Sequence, residues 1–269
     1  MLTSLLIVAL LVGCAPAASK TTGEIKVYTR DASSGTRSAF FEFISIVEAT
    51  PLTASAIEVT SSADMATKVA ADENGIGYTT LASADGNANL LPLTYNGVVA
   101  SEANVINGTY KLSRPFNLVT RASGDFSSAE QEQIVKAFVD FLMNSTEGHE
   151  AVASKGGIIE SGSGTAWDTL KANYPILSGD VSTYTIKTGG STSVDSTLKA
   201  ALEAFQALTG VKFEMNQTGS GDGFKRTLGA DKDSVNGVDI GFASREFKDT
   251  ETVASGAVSG AYCYDAIVV

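Results

Sequence analysis

Thr183–Gly210 reads TYTIKTGGSTSVDSTLKAALEAFQALTG: a strand, a glycine turn and a long helix in unbroken succession. The pattern recurs on both sides. VKFEM (211–215) stops in the turn NQTGSGDGF (216–224), which opens a further helix, and IKVYT (25–29) runs through TRDASSGTR (29–37) into the amphipathic SGTRSAFFEFISIVE. GVDIGFAS (237–244) is a buried strand ending in a polar loop, and SGAYCYDAIVV (259–269) is a terminal apolar strand. Between them lie ADMATKVA as a short helix, GIGYTTL as a buried strand, and YKLSRPFNLVT as an extended run bent at Pro115. SSAEQEQIVKAFVDFLMNS (127–145) has the clearest helical period, with Ser127 or Ser128 as N-cap. Strand–turn–helix units at this density predict an α/β fold with ligands at the carboxyl ends of the strands.

The three turns share one chemistry. Glycine lets the backbone approach closely, first-turn N–H groups lack intrahelical partners, and the helix dipole places partial positive charge there. One such turn is an ordinary cap, whereas three in one chain, one of them holding Arg30, point to an oxyanion site. None matches the Walker pattern, which argues against nucleotide hydrolysis.

Composition narrows the classes. The chain has 269 residues, 43% of them apolar, enough for one large domain or two lobes. A formal charge of −11 leaves no basic stripe for nucleic acid, yet it does not exclude a buried anion, which responds to local amides and placed cations. With one histidine, His149, and two cysteines, there is little material for a zinc site or a histidine triad.

The start, MLTSLLIVALLVGCAP, reads as a signal peptide, and Leu11–Cys14 resembles the lipobox of bacterial lipoproteins, which implies lipidation of Cys14. Residues 15–23 read as a tether, and GGIIESGSGTAWDTLKANYPILSGD (156–180) as linker-like, its SGSGT a decoy without a preceding strand.

As a set, GGSTSV, GSGDG, DIGFASR, RDASSGTR, GIGY and YKLSRP resemble the successive motifs of the phosphate-binding proteins of the phosphate-specific ABC importer, from Glu24 onward. The resemblance implies a two-lobed, periplasmic-binding-protein-like (type II) α/β fold with mixed sheets flanked by helices and a ligand cleft between lobes, 24–115 and 116–269. It implies a lipid-anchored extracytoplasmic monomer that passes inorganic phosphate to a permease, with no cofactor and no catalysis. Carried over by position, Arg30, Ser34, Gly35 and Thr36 form the charged anion loop, and Thr192, Ser193 and Ser220 supply neutral donors. Asp239 corresponds to a buried carboxylate that accepts a proton from phosphate and repels an unprotonated anion such as sulfate. A receptor for another oxyanion, a phosphoryl-transfer enzyme and a surface module are the competing readings.

The motif order departs from the usual family arrangement, as if circularly permuted. A terminal apolar strand would leave an open edge, so part of one lobe is expected beyond Val269. Ser33 stands where the family usually has glycine, and Asp31 is placed to pair with Arg30 or to serve its turn.

Overall fold

In the computed structural model, which describes residues 23–32, 34–46, 52–160 and 162–269, strands and helices alternate along the chain. Cys14 with the rest of the leader, nearly all of the tether, Ser33 and Ser161 lie outside the described residues.

The N-terminal part contains β1 (Lys26–Arg30), α1 (Gly35–Phe43), β2 (Ile57–Val59), α2 (Ser62–Ala70), β3 (Gly75–Ile76), β4 (Thr79–Thr80), α3 (Leu81–Ala84) and α4 (Glu102–Ile106). β1 is the middle strand of a parallel three-stranded sheet, β2-β1-β3. The serines that precede α1, α2 and α4 each accept a first-turn N–H: Ser34 from Arg37, Ser61 from Asp64 and Ser101 from Asn104. They satisfy donors that the helix itself leaves without partners.

β5 (Ser113–Thr120), α5 (Ala129–Asn144), α6 (Thr146–Ala153), α7 (Trp167–Lys171), β6 (Thr185–Gly190), α8 (Asp195–Thr209), β7 (Lys212–Gln217), α9 (Ser220–Thr227), β8 (Ile240–Ala243) and β9 (Ser259–Val268) complete the chain. The larger sheet runs β4-β9-β5-β8-β6-β7, with β6 parallel to β7 and β8, and β5 antiparallel to β8 and β9. It is a mixed sheet, as expected. β9 is an interior strand: Ser259–Ala266 pair with β5, and Ile267 and Val268 pair with β4 of the N-terminal part. The end of the terminal strand is therefore not the open edge expected, because β4 covers Ile267 and Val268 and Ile158 bridges to Tyr264.

Apolar periodicity buries one face of each long helix. Ile134, Phe138 and Phe141 of α5 meet Leu198, Leu202 and Phe205 of α8 in the main core. Ser128 caps α5, but Gln131 does not reach back to it; its amide crosses to Asp239 and the Thr185 carbonyl. The linker-like 156–180 stretch also differs from its reading. It contains α7, and Trp167, Leu177 and nearby Val181 are buried core residues. Its polar composition masks a few widely spaced anchors that only the packing reveals.

Candidate functional site

β1, β6 and β7 end in the three glycine turns singled out above, and β8 ends in the polar loop at Ser244. β6 finishes on Gly189–Gly190, where Gly190 adopts φ +125° and a Cβ would stand 2.0 Å from the Phe242 carbonyl of β8. Only glycine permits that approach and turn. The chain then makes a 3-10 turn over Thr192–Val194 and enters α8.

The first loop follows β1. Arg30 donates from Nη1 to Ser62 Oγ at 3.3 Å and from Nη2 to the Thr60 carbonyl at 3.4 Å, with the Asp31 carboxylate at 3.9 Å. Tyr78 OH accepts the Arg30 N–H, and Arg37 donates to the Arg30 carbonyl, which staples the loop to its surroundings. Ser34, buried, caps α1.

Gly35 brings the two predicted half-sites together. A Cβ on Gly35 would lie 1.9 Å from Ser193 Oγ and 2.9 Å from Ser193 Cβ. The first turn of α1 thus abuts the turn that opens α8. Ser191 Oγ, 2% exposed as a residue, accepts the Ser193 N–H at 3.1 Å and donates to Ser244 Oγ at 3.0 Å. The Ser244 N–H donates to Ser220 Oγ at 3.2 Å, and the two hydroxyls lie 3.3 Å apart. Arg114 joins this hydroxyl group through Nη1, which donates to Ser244 Oγ at 3.2 Å. Its Nη2 donates to the Gly35 carbonyl at 3.3 Å and to Asp265 Oδ2 at 3.2 Å. Burial pushes the Asp265 carboxyl up, and Arg114 pulls it back down.

A cavity of about 240 Å³ opens beside this junction, lined among others by Thr36, Ser62, Lys155, Ser193, Arg114 and Asp265. Arg30 is one bond away from it, through Ser62. A larger cavity, about 530 Å³, lies among Met65, Val69, Leu90 and Leu93 with Asp72 and Glu73 on its wall. Apolar groups with two carboxylates are the wrong surroundings for an anion, so the smaller, hydroxyl-lined cavity is the candidate site.

Of the predicted residues, Ser34, Gly35, Thr36, Ser193 and Ser220 gather around this junction. Thr192 is exposed in the same turn, and Ser191 supplies the buried hydroxyl.

Asp239 is a correction. It precedes β8, level with Lys187 in the middle of β6, whereas the hydroxyl group sits past the other end of β8 at Ser244. Five residues of extended chain separate the two, about 16 Å at ~3.3 Å per residue. Asp239 Oδ2 accepts from the Lys187 N–H at 2.9 Å and the Gln131 amide at 3.1 Å. Its carboxyl is pushed up by burial, against those two donors. A strand-end aspartate reads alike at either end of its strand, and the parallel pairing of β8 with β6 decides which end faces the loops. The motifs quoted from the sequence also contain Ser191, Ser244 and Arg114, and YDAIVV contains Asp265; only their convergence was hidden.

The model for the PBP superfamily domain matches residues 18–147 and 160–269. Phosphate-binding protein PstS 2 of Streptococcus agalactiae serotype V is 30% identical over 271 residues, covering 97% of this chain and 83% of its own. The chain belongs to the PBP superfamily and, within it, to the family of these PstS phosphate-binding proteins. Phosphate-binding protein PstS 2 of Streptococcus pneumoniae serotype 4 is 31% identical over 246 residues, covering 87% of this chain and 75% of its own. A solved phosphate-binding protein of a phosphate ABC transporter from Streptococcus pneumoniae TIGR4 is similar in structure, with TM-score 0.72 and 26% identity over 91% of this chain and 88% of its own.

Proposed function

We propose that this chain is an extracytoplasmic receptor that binds inorganic phosphate and delivers it to the permease of an ABC importer, anchored by lipid on Cys14 and working as a monomer. The observation that carries the reading is the junction of Gly35 with Ser193, where two helix-opening turns from distant parts of the sequence meet. First-turn amides, the hydroxyls of Ser34, Thr36, Ser193 and Ser220, and the permanently charged Arg30 would form the donor shell of the anion. The two sequence segments, 24–115 and 116–269, would act as lobes that close on the ligand about the strands joining them. No chemistry on the ligand is required of such a receptor.

Asp239, remote from the junction, gives no reason to expect rejection of sulfate, and a broader oxyanion receptor is the alternative. Calorimetric titration with phosphate, followed by competition with sulfate, tests both. Micromolar or tighter phosphate binding is the expected result, and the sulfate competition reads how broad the site is. Equal affinity for sulfate would favour the broader reading, and no binding of either anion would overturn the proposal.

A further inference from the structure

β5 and β9, the two strands that join the N-terminal part to the larger sheet, carry a buried ion pair. Arg114 and Asp265 face one another directly in the antiparallel register, each side chain 10% exposed. The guanidinium carbon also lies 5.5 Å from the centre of the Phe116 ring, so the group is held between a carboxylate and an aromatic face. From that seat its two terminal nitrogens reach in different directions, Nη2 to the Gly35 carbonyl of the first loop and Nη1 to Ser244 Oγ beside the others. A buried pair is weak evidence of stabilisation, since desolvation offsets most of the attraction. A planar fork that bonds both loops, however, does what a lysine point charge cannot do.

We propose that Arg114, oriented by Asp265, is a latch that holds the Gly35 loop and the Ser191–Ser220–Ser244 hydroxyls in register across the cleft. Arg114 is a positioning residue, and Asp265 positions Arg114. The consequence for ligand binding rests on the phosphate-receptor reading above, while the latch itself exists without ligand.

Two measurements on the full chain test it: local hydrogen–deuterium exchange without ligand, and titration with inorganic phosphate. Arg114→Lys keeps the charge but loses the fork. Arg114→Met with Asp265→Leu removes the pair without stranding a buried charge, and decides the matter should the single variant fail to fold. In both, exchange of the amides at 34–37 and 244–246 is expected to rise at least tenfold while α5 stays protected, and the phosphate dissociation constant to rise at least tenfold. Unchanged loop exchange in either folded variant, or a uniform rise that includes α5, overturns the latch whatever the affinity. If the unmodified chain binds no phosphate, the receptor reading fails, and the exchange pattern still decides the latch.

Discussion

Gly35 and Asp239 show what single residues can and cannot disclose. Gly35 looks like a flexible turn residue, yet its role here is space: an alanine methyl would collide with the Ser193 side chain. Alanine also favours a helix over glycine by roughly 1 kcal/mol. Gly35→Ala is therefore expected to leave stability nearly unchanged while weakening phosphate binding at least tenfold, and Ser193→Gly in the same chain should restore part of the loss, all read by calorimetry. Asp239 looks like a ligand group in its motif and lies at the far end of β8. Asp239→Asn is expected to leave both phosphate affinity and the ratio of phosphate to sulfate affinity unchanged. A tenfold change in either would place Asp239 back in the site.

Among the elements, capped helices and alternating strands were legible because their causes are local. Ser34 and Ser128 satisfy the amides of their own helix starts, and the period of 127–145 is long enough to define α5. α7 was not legible, since its anchor Trp167 stands in a Gly- and Ser-rich stretch whose composition suggests a linker. α5 also depends on a contact just before it. The Glu132 carboxylate accepts from Lys136 Nζ at 2.6 Å, Ser123 Oγ at 2.6 Å and the Gly124 N–H at 2.8 Å, which together hold its pKa down to about 2. A lowered folded-state pKa stabilises the fold above the ordinary value of 4.5, and that stabilisation is lost as pH falls from there toward about 2. Glu132→Gln should cost about 1 kcal/mol at pH 7, a partly screened contribution, and the gap between variant and parent should close near pH 2 in denaturant titrations.

At the scale of the molecule, the α5–α8 core holds the large sheet that positions the loops. Phe205 packs against Phe138 and Phe141 at 5.4 Å and Trp167 at 5.7 Å between ring centres. Phe205→Ala opens a cavity among rigid aromatic neighbours and should cost about 3–5 kcal/mol, measured as a lower denaturation midpoint with a similar slope. The amino-acid sequence by itself determined the α/β class, the caps and the glycine turns that open the helices, because periodicity, capping and turn chemistry act over a few residues. The tertiary structure alone decided which loops meet. Strand direction and register put Ser244 at the junction and Asp239 away from it, and pairing across 151 residues of chain set Asp265 beside Arg114. Such contacts depend on how distant segments pair in space, and no local pattern encodes that.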